Sequence, residues 1–215
     1  MTLAGRKLFA LTTDLVIFAL DKGALKLLLI RRANAPFEDM WALPGGFLED
    51  GETLEECAAR ELHEETGLEM RQLEQLAAFS APGRDPRGDV VSVAYIALVR
   101  SDGRALRAGS DAREAKWIGI DALPDVAFDH DEIILTAREF LTARLYHTTA
   151  AFNLLPDSFT LADVQHAFES ISGDSVDKRN FRSWIKREGL LRETGKERRG
   201  AHRPAKLYAI SEDNA

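Results

Sequence analysis

Cysteine is nearly missing from these 215 residues; Cys57 stands alone. One thiol excludes an internal disulfide and any cysteine-based metal cluster. Also lacking is an apolar run near the roughly 20 residues that a membrane-spanning helix requires. The start, MTLAGRKLFALTTD, has neither the apolar core nor the small-residue cleavage site of a secretory signal. The expectation is a cytoplasmic chain with no membrane partner. Internal repeats and low-complexity tracts are absent too. Positive charge is scarce in the sum, with 28 Lys and Arg against 35 Asp and Glu, a net of −7. As one number, that balance argues against a nucleic-acid partner.

The shortage is local, however. Residues 178–206 hold 11 Lys and Arg against 3 Asp and Glu, so the acidic excess sits in the first 155 residues and the last five. A diphosphate site needs acidic groups for its cations, whereas a DNA face needs a local positive field. A chain of this length can bury two modest cores, and the charge asymmetry fits two jobs.

Apolar runs at Leu15–Leu20 and Leu25–Ile30 flank Asp21-Lys22-Gly23, which reads as a hairpin. Trp41-Ala42-Leu43-Pro44-Gly45-Gly46 enters a tight turn, and residues 52–66 have helix composition ended by Gly67. Strands are expected near residues 73–80, 90–99 and 114–118, and a long helix over 129–147. Strands on both sides of helices imply a mixed-sheet α/β domain, assigned to residues 1–150.

Residues 151–215 read as a second domain. Thr160 to Asp163 has capping-box spacing and leads into Val164, Ala167, Phe168 and Ile171. Gly173 breaks that pattern. Asp177 or Ser175 can cap the next helix, in which Phe181, Trp184 and Ile185 form a buried stripe; Gly189 stops it. Two strands, 190–194 and 205–210, then enclose a basic loop. This order is that of a winged helix-turn-helix.

The residues of 46–68 carry the chemistry. At about 100° per residue, Glu61 and Glu65 lie about 40° apart with Glu64 about 60° to the other side, so three carboxylates share one edge. Like charges so close repel unless neutralised, and hard divalent cations prefer carboxylate and carbonyl oxygen. Gly45 and Gly46 let the backbone approach, and Arg60 can tie Glu64 or Glu52 in place. The bland alternative is a solvated, salt-bridged helix. His63 reads as exposed and Cys57 as a small buried filler.

Gly46, Glu52, Arg60, Glu61, Leu62, Glu64, Glu65, Gly67 and Leu68 match the Nudix box in full, and the chain resembles the Nudix hydrolase family over residues 10–147. The resemblance implies a mixed β-sheet between helices and attack of water on a diphosphate linked to another moiety. It implies Mg²⁺ or Mn²⁺ held by Glu61, Glu64 and Glu65 with the Gly46 carbonyl, and a catalytic set of Glu64, Glu65, Arg60 and Glu52. Outside the box, the turn-like stretch 80–88 carries Arg84, Asp85 and Arg87, whose guanidinium groups suit phosphate or ribose. The alternative is a loop whose arginines face water. The segment is similar to that of ADP-ribose-type Nudix proteins, followed by Tyr95 on a strand, and implies ADP-ribose or a related nucleotide sugar as ligand. Phe128-Asp129-His130-Asp131 resembles another segment of that branch.

In the second domain, Lys178, Arg179, Asn180, Arg182, Ser183 and Lys186 can face outward from the second helix. Long cations suit phosphate there, and Asn180 a base edge. Arg198, Arg199 and Arg203 would form a basic wing. A basic helical domain that docks on an acidic partner domain is the alternative. Residues 177–208 resemble the C-terminal module of Nudix-related transcriptional regulators of NAD metabolism. That resemblance implies a homodimeric repressor that binds double-stranded operator DNA and is released by ADP-ribose. The intact box leaves hydrolysis open, so the competing expectation is a Mg²⁺-dependent ADP-ribose pyrophosphatase releasing AMP and ribose 5-phosphate. A housekeeping hydrolase of oxidised nucleotides would not need the second domain.

Overall fold

The computed structural model describes residues 2–3, 6–21, 23–70, 73–100, 106, 112–146, 150–199 and 204–211. A two-stranded ribbon, β1 (Thr2–Leu3) with β2 (Arg6–Lys7), comes first. The main sheet has seven strands: β3 (Ala10–Asp21), β4 (Ala24–Arg32), β5 (Trp41–Ala42), β6 (Gly45–Phe47), β7 (Glu74–Phe79), β8 (Val90–Arg100) and β9 (Ala112–Gly119). Its path is β5-β4-β3-β8-β7, with β6 paired to β3 and β9 to β4. Leu15 to Phe18 are fully buried along β3, which explains an unbroken apolar run in place of alternation: both faces of this central strand are covered.

Strand alternation sorts side chains to the two faces. Thr13 meets Cys57 of α1 (Leu54–Thr66), whereas the next residue, Asp14, meets His130 at the start of α2 (His130–Arg144). The first turns of these two helices therefore belong to opposite faces. Helix α1 begins at a full capping box: the Thr53 hydroxyl accepts from Glu56 N–H, and the Glu56 carboxylate accepts from Thr53 N–H. It ends where Gly67 N–H donates to the His63 carbonyl.

Contacts divide the chain into two compact units. The first comprises Met1–Phe18, Lys26–Ala97 and Gly103–Ala137; the second comprises Ala19–Leu25, Leu98–Asp102 and Arg138–Ala215. In the second, α3 (Leu161–Ser172) and α4 (Lys178–Glu188) precede a hairpin of β10 (Leu191–Arg198) and β11 (Ala205–Ile210). Thr160 and Asp163 cap α3 reciprocally, as their spacing predicts, and Asp177 rather than Ser175 caps α4. Phe168 is the centre of an aromatic cluster with Tyr146, Phe152, Phe181 and Trp184, ring centroids lying 5.1 to 6.1 Å away. The arrangement is offset and edge-on, the geometry that aromatic quadrupoles favour.

Two boundaries differ from those the sequence predicts. Helix α2 ends at Arg144; its expected last residue, His147, lies outside the described residues. Strand β10 does not stop at residue 194. Its register shifts between Glu193 and Glu197, where Gly195 adopts φ 73° and β10 carries two residues more than β11, and the ladder resumes through Arg198. Among the described residues no helix is long and apolar enough to cross a membrane.

Candidate functional site: an arginine-lined cleft and a basic helix

The register Thr13↔Gly46 and Asp14↔Gly45 lays the glycine turn against β3. A Cβ at Gly45 would stand 2.1 Å from the Thr13 carbonyl oxygen, and one at Gly46 would stand 2.0 Å from Glu61 Oε1. Both positions therefore need glycine, one for the strand and one for a carboxylate of α1. Gly45 N–H donates to Glu65 Oε2 at 2.8 Å, which fastens the turn to the helix.

Arg60 organises the remaining acids. Its Nη2 and Nε donate to Glu52 at 2.8 and 3.1 Å, and its Nη1 donates to Glu61 at 2.8 Å and Glu64 at 3.4 Å. Hydrogen bonds from Arg60 hold the Glu52 carboxyl down at about 2, and the same bond from Glu52 leads in raising Arg60 above its ordinary value. Burial pushes the Cys57 thiol up to about 11, so it stays protonated and inert beside Thr13.

Among the described residues no group of three or more His, Cys, Asp or Glu side chains is arranged to hold a metal ion. Glu65 is buried and turned to the Gly45 amide, while Glu61 and Glu64 point to the Arg60 guanidinium, which already relieves their repulsion. As a donor set the oxygens still suit a hard divalent cation, and Glu61 is seated directly on the Gly46 backbone.

Beside this turn opens a cleft of about 60 Å³, walled by Arg32, Phe47, Arg84, Asp85, Arg87 and Phe128, with Asp14 and His130 in its lining. Arg84 is buried and forms a fork on Asp129 at 2.8 and 2.7 Å, with Asp14 at 3.4 Å. Ser92 and His130 also reach Asp14. Burial pushes the Asp14 carboxyl up, but His130, Ser92 and Arg84 together hold it below its ordinary value. His130 Nδ1 accepts from Leu43 N–H at 2.9 Å, which assigns the ring proton to Nε2, facing Asp14. Arg87 is held by the buried Asp85 and lies over the rings of Phe47 and Phe128, at 4.6 and 5.4 Å.

Tyr95 is a correction: it does not line the cleft. Three residues after Ser92 on the same strand, it must face the other way; it is buried with its hydroxyl donating to Glu55 at 3.1 Å. That burial, together with Glu55, raises its hydroxyl to about 12. Conversely, Asp14, Arg32 and Phe47 were not singled out by sequence. Strand pairing carries them to the cleft from separate segments, and only the register reveals it.

In the second unit, Lys178, Arg179, Asn180, Arg182, Ser183 and Lys186 are exposed on α4, while Phe181 and Ile185 are buried beneath. None of the four cations forms an ion pair among the described residues, and with Ser183 they line a shallow depression. Arg198 is engaged instead with Asp163 at 2.9 Å, close to the cap of α3. Arg199 is exposed just past β10, and Arg203 lies outside the described residues.

A mixed sheet with an arginine-lined cleft beside a carboxylate helix, on the same chain as a basic winged helix, defines a two-part protein with a small-ligand site and a nucleic-acid-binding module. The chain belongs to the Nudix family: residues 10–137 match the NUDIX domain, and residues 151–210 match the NrtR DNA-binding winged helix domain. It is 37% identical over 205 residues to the ADPR responsive transcriptional repressor NtrR of Acinetobacter baylyi, covering 94% of this chain and 82% of that one. It is 50% identical over 109 residues to the ADP-ribose pyrophosphatase of Methanocaldococcus jannaschii, 51% of this chain and 63% of the relative. Among solved structures, Shewanella oneidensis NrtR complexed with a 27mer DNA superposes with a TM-score of 0.78 at 34% identity, over 95% of this chain and 94% of that one. The NUDIX domain of the same protein complexed with ADP ribose gives 0.58 at 37% identity, over 63% and 90%.

Proposed function

We propose that this chain is an ADP-ribose-responsive transcriptional repressor of NAD-related genes, acting in the cytoplasm. Residues 1–150 form its sensing domain and residues 151–215 its operator-binding domain. The observation that carries the reading is the coexistence, on one chain, of a cleft walled by three arginines and a helix face bearing four cations that form no ion pair among the described residues. Likeness to an ADPR responsive repressor over 94% of the chain supports it. Lys178, Arg179, Arg182 and Lys186 meet phosphates and Asn180 a base edge, with Arg199 and Arg203 in the wing. Arg198 positions the hairpin through Asp163. Arg84, Asp85 and Arg87 belong to the ligand cleft. A homodimer supplies the two-fold symmetry that matches a palindromic operator. ADP-ribose releases DNA because it favours a conformation that DNA does not.

Fluorescence anisotropy with the protein's own upstream DNA tests this. Binding that weakens as ADP-ribose is added is the expected result. Unchanged affinity at saturating ADP-ribose removes that ligand as effector, and no binding even at low salt removes the repressor.

The complete box and the 50% identity to an ADP-ribose pyrophosphatase favour a second activity on the same cleft, hydrolysis to AMP and ribose 5-phosphate. Glu61, Glu64 and Glu65 with the Gly46 carbonyl would hold Mg²⁺ or Mn²⁺, which neutralises phosphoryl charge and lowers the pKa of water. Glu52 and Arg60 keep those carboxylates placed. Glu65→Gln is the informative variant: its amide oxygen can still accept from Gly45 N–H while the charge is gone. Loss of most product by ion-exchange chromatography, with the fold intact, is expected. Wild type that forms no AMP after long incubation with either metal rules the activity out.

A further inference from the structure

Two of the three arginines in the cleft wall have carboxylates of their own. Arg84 has Asp129 and Asp14, and Arg87 has Asp85 in a fork. Arg32, half-buried at the end of β4, has no ion pair among the described residues. Its Nε donates to the Pro36 carbonyl at 2.8 Å and its Nη2 to that of Asn34 at 3.4 Å. Carbonyl dipoles orient a guanidinium but do not neutralise it. Burial leads in disfavouring its charge and the nearby Arg87 adds to that, while Glu65, Asp85 and Asp14 favour it.

The surroundings show a built site. The Arg32 guanidinium lies 5.0 Å from the Phe128 ring centre, and that of Arg87 lies 5.4 Å from the same ring. Phe37 packs edge-on against Phe128 at 4.8 Å. Phe128 itself adopts φ 57°, a left-handed conformation that bulky residues avoid. Backbone strain is thus spent on the one ring that carries two like charges.

We infer that Arg32 is the anion-selecting residue of the cleft and that, with Arg87 across the Phe128 ring, it receives a diphosphate directly, without a divalent cation. A guanidinium fork matches phosphate oxygens and gives each hydrogen bond charge assistance. The group arriving there supplies counter-charge directly at the fork, beyond what Glu65, Asp85 and Asp14 give. Arg32 therefore separates ligands by whether they carry phosphate at this place, not by their base or sugar. The inference rests on the proposed sensing role only in taking ADP-ribose as the diphosphate carrier.

Isothermal titration of the full chain in EDTA, with inorganic pyrophosphate, ADP-ribose and adenosine, separates the two ideas. Wild type should bind pyrophosphate and ADP-ribose, and Arg32→Gln should weaken both at least tenfold while leaving adenosine unchanged. Arg182→Ala, on the DNA face, should leave pyrophosphate binding at its wild-type value. Should Arg32→Gln fail to fold, Arg32→Lys keeps the charge and loses the fork; a drop of at least threefold with an unaltered near-UV circular dichroism spectrum is then expected. Pyrophosphate affinity that is absent in wild type, or equal in wild type and the folded variants, overturns the inference. Arg32-dependent pyrophosphate binding with no ADP-ribose binding at all keeps the anion site and overturns ADP-ribose as the effector.

Discussion

Asp14 shows how one buried residue can serve both fold and site. It is 7% exposed, yet it is charged, because Arg84, Ser92 and His130 satisfy its oxygens. Replacing it by Asn leaves Arg84 with Asp129 alone inside the protein. A loss of about 3 kcal/mol follows from the cost of breaking a buried ion pair, read as a lower urea midpoint at unchanged slope. An unmoved midpoint would mean that Asp129 compensates completely. Glu52 gives a pH-dependent counterpart. Its folded pKa of about 2 lies below the unfolded value, which is about 4.3. Its bond to Arg60 therefore contributes fully above pH about 4.3 and is lost as pH falls towards 2. Glu52→Gln should be less stable than wild type at pH 6, and the gap should close between pH about 4.3 and 2. Urea titrations across that range check it; a constant gap would assign the pair no role in stability.

Helices and strands impose their own requirements. At the tip of the glycine turn, Gly45→Ala would drive a methyl group to 2.1 Å from backbone oxygen on β3, which no side-chain rotation relieves. The β3–β6 pairing should open, with loss of ADP-ribose binding and a melting temperature several degrees lower, about 4 °C for each kcal/mol lost. A variant with wild-type melting and binding would show that the turn can move. On α4, Arg179→Ala with Arg182→Ala should abolish operator binding while leaving ADP-ribose binding near its starting level. Each lost phosphate contact lowers the log–log salt slope by roughly one unit. If anisotropy at several salt concentrations gives equal slopes and affinities, α4 is not the DNA face. Elements of this kind were legible in the sequence because their signals are contiguous. The capping residues Thr160 and Asp163, the stripe Phe181 and Ile185, and the box from Gly46 to Leu68 each lie within a few turns. The cleft was legible only in part. Arg84 and Arg87 sit in one loop, but Asp14, Arg32 and Phe47 come from three strands joined by tertiary pairing. Tyr95 was misplaced because a strand's parity is fixed by its neighbours: only the contact of Ser92 with Asp14 shows which face of β8 meets the cleft.

For the whole molecule, the decisive quantity is the coupling between ligand and DNA, and it must be reciprocal. If ADP-ribose lowers operator affinity by some factor, operator DNA lowers ADP-ribose affinity by the same factor, since both are legs of one thermodynamic cycle. A tenfold effect corresponds to about 1.4 kcal/mol, which lies within the usual range of allosteric coupling. The oligomer sets the form of the response. The proposed homodimer, of about 48 kDa from a chain mass of 23.9 kDa, would place two clefts on one operator complex, so release should steepen with ADP-ribose concentration if both copies must switch together. Light scattering fixes the mass, and paired titrations of ligand into protein and into protein–DNA complex fix the coupling. Arg32→Gln adds an internal control. It should shift the ADP-ribose concentration needed for release to higher values while leaving operator affinity without ligand unchanged, because it alters ligand binding and not the DNA face. Should the variant instead weaken DNA binding in the absence of ADP-ribose, the cleft would be part of the folded support of the winged helix, and release would reflect destabilisation of the chain in place of a shift between two folded states.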